Sequence, residues 1–309
     1  MPSPGYGRRE GTIYRAPTTG DGDGCAYATH ATEQARRALR GGGRHLRVRA
    51  VAGRLALMTP DRFLPGTEKF ALGKEKSATG RLIAVEGVDG SGKRTQVELL
   101  AGALRLRGYG VVQTGFPIYE STFGKLIGQY LDGRLGALDA VDPRFTALLY
   151  AGDRLEAKRM LEAALDEGQI VLADRYIGSN LAHQGARHAA RGREEFLDWI
   201  RHVEYEIYGL PRELLVIYLR VPAQEAQKMV ARKAAREYTA AAADLQEASL
   251  THLESAAAMY DLLAREAPWT TIQSFDELTG CMRSPEHIAE EMLSVVEAAL
   301  AQAEKAEGR

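Results

Sequence analysis

The chain has 309 residues, 45% hydrophobic and 26% charged, with a formal net charge of −1. That size and balance suit one or two globular domains, and the near-neutral total exerts no global pull toward nucleic acid or a membrane. No run of eighteen apolar residues occurs, so no membrane-spanning helix is expected, and two distant cysteines, Cys25 and Cys281, fit no metal spacing and leave a reducing, cytoplasmic setting as the default.

The average conceals an asymmetry. Residues 1–57 hold ten arginines, no lysine and four acids (Glu10, Asp21, Asp23, Glu33), a net charge near +6. The stretch is rich in Gly, Ala and Arg and poor in large apolar side chains, so burial there offsets little of the ordering entropy. Residues 1–79 are therefore expected to form an N-terminal extension, mostly disordered or weakly helical, ahead of a folded domain over 80–309. Three readings stay open: a translated upstream stretch with Met58 as a natural start, an Arg-rich targeting peptide, or a basic arm for nucleic acid.

From Arg81 the texture changes. "RLIAVEG" is a short apolar run ending in glycine, the pattern of a buried parallel strand. Val97, Leu100, Ala101 and Leu104 then recur at helical spacing. "GYGVVQTG" reads as a second strand. Asp142-Pro143 opens a long helix over 143–166 that closes near Gly168. "QIVLADRY" is a third strand, 194–208 a helix, "ELLVIYLRV" a fourth and very apolar strand, and Pro222 opens the next helix. "WTTIQSF" is a late strand, and 285–303 a closing amphipathic helix. This alternation predicts a three-layer α/β fold, a parallel sheet of about five strands covered by helices on both faces. The Ala-rich stretch over 232–248 reads as a helical lid.

Between the first strand and the first helix lies "GVDGSGKRT". Gly87, Val88, Asp89, Gly90, Ser91, Gly92 and Lys93 satisfy G-x-x-x-x-G-K in strand–loop–helix context, the signature of a phosphate-binding loop. Its glycines let several amides face one point, the helix N-terminus adds positive potential, and Lys93 supplies a cation for the β- and γ-phosphates. The next residue, which usually offers a hydroxyl to Mg²⁺, is Arg94. A guanidinium about 4 Å from a divalent ion, at an effective dielectric near 20, is repelled by roughly 8 kcal/mol. Arg94 is thus expected to turn away, with water completing the metal shell, while Thr95 offers a hydroxyl toward the α-phosphate. In "IVLADRY", Asp174 ends a buried strand where it can hold Mg²⁺ through water, and Arg175 beside it can reach transferring phosphate oxygens.

Together, "LIAVEGVDGSGKRTQ", "FPIYESTFGKLIGQYLDG", "DPRFTALLYAGDRLEAK", "VLADRYIGSNLAHQG", "FLDWIRHVEYEIYGLPRELLVIYLRVP" and "GCMRSPEHI" resemble the thymidylate kinase family of P-loop nucleoside-monophosphate kinases, in order over nearly all of 81–290. The loop is similar to a subgroup reading G-K-x-T. The resemblance implies transfer of the γ-phosphoryl group of ATP to dTMP with Mg²⁺, in a cytoplasmic homodimer, with no nucleic-acid partner for the folded domain. It implies an acceptor pocket built from Asp89 at the sugar 3′-hydroxyl, Phe116, Tyr150 stacking on the base, Arg154 hydrogen-bonding it, Arg175, and the polar run Ser179, Asn180 and Gln184. Tyr150 and Arg154 lie four apart and so share a helix face. Arginine carries only donors, which suits thymine O4 and opposes the amino group of cytosine.

Two departures matter. Many relatives place an arginine after Phe-Pro for the acceptor phosphate, where this chain has Ile118 and Tyr119, leaving Arg175 or Lys125 to take that load. The lid lacks the family's usual D-R-x-E run and offers Lys228, Arg232, Lys233 and Arg236. Gly90 suggests the type whose catalytic arginine comes from the lid, which points to Arg232 or Arg236. His183 reads as a structural or pocket-polar group. The alternatives are a kinase for another deoxynucleoside monophosphate such as dUMP, or a catalytically weakened nucleotide-binding protein.

Overall fold

The structure, a computed structural model, describes residues 80–137, 140–237 (backbone alone from 232) and 249–308. The expectations for residues 1–79 lie outside the described residues.

Five parallel strands form the central sheet, in the order β2-β3-β1-β4-β5. These are β1 Arg81–Glu86, β2 Val111–Gly115, β3 Ile170–Asp174, β4 Leu215–Arg220 and β5 Trp269–Gln273. The helices are α1 Lys93–Leu106, α2 Thr122–Leu131, α3 Pro143–Asp166, α4 Ile177–Arg187, α5 Arg193–Arg201, α6 Ala223–Glu237, α7 Leu250–Leu263 and α8 Pro285–Ala306. A short hairpin pairs β6 Phe275–Asp276 with β7 Cys281–Met282.

Alternation along each strand builds two cores. In β1, Ile83 and Val85 join Leu100, Ile217, Ile272, Met292 and Val296 beneath α1 and α8. Leu82 and Ala84 point to the other face, with Val171, Ala173, Leu181, Leu253 and Ala256. Because side chains alternate across a strand and both faces are covered, nearly every strand position must be apolar, which is how these segments read. A satellite cluster of Ile127, Tyr130, Val141 and Leu149 fastens α2 to α3.

Helix limits follow local chemistry. The Asp142 side chain accepts from the Arg144 amide at 2.7 Å and Pro143 occupies the first turn, so α3 starts where its cap and proline dictate. The helix expected over 194–208 begins at Arg193 but changes character: beyond Arg201 the chain winds as a π-helical turn over His202–Ile207, burying Val203 and Glu204. The stretch "WTTIQSF" divides into β5 and β6: the Ser274 amide still bonds Arg220 O at the end of β4, and the chain then enters the short hairpin. Among the described residues, no helix is long and apolar enough to cross a membrane.

Candidate active site

β1 delivers the chain to the loop at Glu86, and Gly87, Gly90 and Gly92 take φ values of 147°, 86° and 87°. Gly90 has a second constraint: a Cβ there would stand 2.1 Å from the carbonyl oxygen of Ala226 in α6. Backbone meets backbone at this point, so a side chain requires α6 to move. Gly92 is the N-cap of α1 and has open space around it, so its demand is the left-handed backbone alone. The first amides of α1 are left facing the loop's mouth, where anions are favoured.

Lys93 is buried and folds back on the loop, its Nζ donating to Gly87 O at 3.0 Å and Val88 O at 2.9 Å. Burial, with the Arg175 guanidinium nearby, lowers its pKa from the usual 10.5 to about 8. A triphosphate docked on the loop would restore the favoured charge, so its affinity is expected to be complete below the lowered value and to decline as pH rises through it. Calorimetry near pH 9 in buffers of different ionisation enthalpy is expected to show uptake of up to one proton per ATP; buffer-independent heats there would contradict this.

Arg94 turns outward. Its Nε meets Glu98 Oε1 at 3.2 Å, one helical turn on, with the side chain 80% exposed. Thr95 is also exposed on this first turn. Asp174 ends β3 opposite Val85 on one side and Gly115 on the other. Its carboxylate is half-buried and makes no hydrogen bond or ion pair among the described residues, so its oxygens remain available. Magnesium takes one or two carboxylates, phosphate oxygens and several waters, and this donor set fits that requirement.

Beside the loop lies a pocket that brings together Asp89, Phe116, Tyr150, Arg154, Arg175, Ser179, Asn180 and Gln184, every residue expected in the acceptor site. Asp89 and Arg175 pair directly across the boundary between loop and pocket. Burial would raise the Asp89 pKa, but the Arg175 and Lys93 charges hold the carboxyl well below its usual range. Arg175 is the one non-glycine with positive φ among the described residues, at 70°, an arrangement that persists where surrounding contacts over-determine it. Its Nη1 approaches Ser179 Oγ at 3.2 Å and Gly87 O at 3.5 Å.

The pocket wall around Arg154 is more elaborate than expected. Arg154 makes a two-pronged pair with Glu204, Nε to Oε2 and Nη2 to Oε1, both at 2.6 Å, with the side chains 1% and 0% exposed. Asn180 Nδ2 donates to the same Glu204 at 2.7 Å and to Ala147 O at 3.0 Å. This fixes the amide, leaving its buried Oδ1 without a hydrogen-bond partner. Gln184 Oε1 accepts from Arg187 at 2.8 Å, leaving its buried Nε2 likewise unpaired.

Glu204 was not foreseen, nor was Glu86. Glu86 is fully buried and accepts from the Tyr176 and Ser179 amides at 2.7 and 3.0 Å, Ser179 Oγ at 2.6 Å and Tyr260 Oη at 3.1 Å. It ties the loop's root to the start of α4. A charge closing the apolar run "LIAV" was the signal for it. Lys125 is exposed on α2 and does not line the pocket, whereas Arg175 does. Arg232 and Arg236 fall on the backbone of α6; their side chains, and residues 238–248 of the expected lid, lie outside the described residues.

A sequence model of the family described as thymidylate kinase matches residues 85–279. The chain is 35% identical over 157 residues to a thymidylate kinase of Mycobacterium tuberculosis strain H37Rv, spanning 50% of this chain and 73% of that protein. It is 35% identical over 156 residues to a probable thymidylate kinase of Thermococcus gammatolerans, spanning 49% and 70%. Among solved structures, a thymidylate kinase from Candida albicans superposes with a TM-score of 0.55 at 20% identity, covering 72% of this chain and 93% of that one, a likeness of fold.

Proposed function

The chain belongs to the thymidylate kinase family, and from that membership we infer that it transfers the γ-phosphoryl group of ATP to dTMP. The observation that carries the acceptor assignment is the polarity of the pocket wall. Among the described residues Arg154 Nη1 makes no hydrogen bond and can only donate, while Asn180 Oδ1 has no partner and can only accept. Thymine presents O4 as acceptor beside N3–H as donor. Cytosine presents the reverse, an amino donor beside an acceptor nitrogen, and leaves both protein groups unmatched. Tyr150 and Phe116 supply the apolar flank, and Asp89 with Arg175, also on the pocket wall, is assigned to the sugar and phosphate.

In this reading the loop amides and Lys93 hold the β- and γ-phosphates, and Arg175 takes the acceptor phosphate that Ile118 and Tyr119 cannot. Among the described residues, Arg175 Nε makes no hydrogen bond and is available for this purpose. Lys93 leaves the carbonyls of Gly87 and Val88 for the phosphates. Asp174 would hold Mg²⁺ through water, and the ion would supply neutralisation of the charge that develops on the phosphates. Arg232 and Arg236 are assigned to the transferred group from α6. Little covalent chemistry is required of the protein, so catalysis consists of alignment and charge neutralisation. A homodimer is supported by Phe145, Leu148 and Leu155, exposed apolar residues along one side of α3.

A coupled ADP-release assay with dTMP, dUMP, dCMP and dAMP tests the assignment. Turnover is expected with dTMP, and with dUMP reduced by roughly 10–200-fold for the missing methyl. dCMP is expected to be rejected more strongly than dUMP; equal rates with dCMP and dTMP would refute the pocket reading. Because Arg94 already points to Glu98, Arg94→Thr is expected to lower the Mg²⁺ concentration needed for half-maximal rate while changing ATP affinity less. A Mg²⁺ titration at fixed ATP checks it, and an unchanged midpoint would place Arg94 outside metal control.

A further inference from the structure

The groups behind Arg175 form a chain that the phosphoryl-transfer scheme leaves unused. His183 Nε2 lies 3.4 Å from Arg175 Nη1, and His183 Nδ1 lies 3.2 Å from Nε2 of His252. His183 and His252 are both buried. Arginine can only donate, so His183 Nε2 must be the unprotonated nitrogen. Nδ1 then carries the hydrogen and donates it to His252 Nε2, which must itself be unprotonated. One set of tautomers therefore satisfies the whole line, and it requires a neutral His183. Charge around the ring agrees: Arg175 and Lys93 oppose an imidazolium, while Asp89 is already committed to Arg175. Burial, Arg175 and His252 keep the His183 pKa well below its usual value. From α7 the ring also meets the edge of Tyr260, whose hydroxyl is tied to Glu86.

His252 occupies the first turn of α7, its amide held by the Ser249 cap at 3.2 Å. It does not line the acceptor pocket. Arg175, in contrast, holds an unusual backbone conformation and needs its guanidinium aimed at one spot. Asp89 anchors Nη2, and the imidazole, together with Ser179 Oγ and Gly87 O, holds Nη1, leaving Nε without a hydrogen bond among the described residues.

We propose that His183 and His252 act as positioning residues, a two-imidazole relay that seats Arg175 for the acceptor phosphate and links the start of α7 to the phosphate loop. The proposal rests on the acceptor role assigned to Arg175 above, and it extends that role to a helix that touches no substrate.

His252→Phe is the decisive variant, because it keeps a ring and removes the acceptor without altering the pocket wall. KM for dTMP is expected to rise by roughly 2–10-fold with KM for ATP unchanged, the scale of one lost hydrogen bond between neutral groups. His252→Gln, whose amide oxygen can accept from His183, is expected to restore much of the loss. In an Arg175→Gln background, His252→Phe is expected to have little further effect, since the two act through one group. Equal losses in both backgrounds, or no rescue by glutamine, would overturn the relay. A ¹⁵N spectrum of the histidine side chains and of Arg175 Nε provides an arm independent of turnover. Wild type should show His183 neutral with hydrogen on Nδ1, and His252→Phe should shift the Arg175 Nε signal. An unmoved Arg175 signal refutes the relay even if no nucleotide is phosphorylated, whereas inactivity of the wild type toward dTMP refutes only the functional assignment.

Discussion

Replacing Arg154 with methionine is expected to lower stability by about 3–5 kcal/mol, a larger effect than any surface change would give. The reason is the group left behind. Glu204 is fully buried and receives both prongs of the guanidinium at 2.6 Å. Without Arg154 its carboxylate keeps only the Asn180 amide at 2.7 Å. A buried ion stripped of its partner costs far more than the intact pair contributes. For a domain of this size, a loss on that scale lowers Tm by roughly 6–20 °C. The companion change Glu204→Met removes the stranded charge, and Arg154→Met/Glu204→Met is expected to recover much of the stability. It should not recover base recognition, because the donor assigned to thymine O4 stays absent. Thermal unfolding and the dTMP/dCMP rate ratio, measured on the single and double variants, separate the two roles. A single Arg154→Met variant with wild-type Tm would show that the pair is dispensable to the fold.

Lys93→Met is expected to do the opposite: a catalytic loss of about 10³-fold with little change in Tm. Lys93 is the buried loop cation assigned to the transferred phosphate, and in a water-poor site such a charge acts with little screening. Its removal deprives the carbonyls of Gly87 and Val88 of a donor, which destabilises. It also removes a buried ammonium whose pKa is already depressed by burial, which stabilises. The two effects oppose each other in stability and do not do so in catalysis. Single-turnover rates with saturating ATP and dTMP check the first part, and a thermal melt the second. Retention of a tenth or more of the wild-type rate would transfer the charge-neutralising role to another group.

The parts that local chemistry determines were readable from the chain. Asp142-Pro143 placed the start of α3 to the residue, and the run from Gly87 to Lys93 located the loop between β1 and α1. The pocket residues were legible through the resemblance, since Tyr150 and Arg154 alone look like any amphipathic helix. What stayed hidden depends on distance in sequence. Arg154 and Glu204 are 50 residues apart, and no periodicity announces that a π-helical turn rotates Glu204 inward. His183 and His252 are 69 apart and meet only because α4 packs along α7. Arg94 is the reverse case: elementary electrostatics predicted that it would avoid the metal, and a glutamate one turn away receives it.

The ladder that pairs Val85, Asp174 and Gly115 has an implication for how such a protein drifts. The acid is held in place by main-chain rungs rather than by the identity of its apolar neighbours. Exchanges among Val, Ile and Leu along these strands should therefore accumulate freely while the carboxylate keeps its height above the sheet. A one-residue insertion inside β3, by contrast, would send Asp174 to the opposite face and silence the enzyme in a single event.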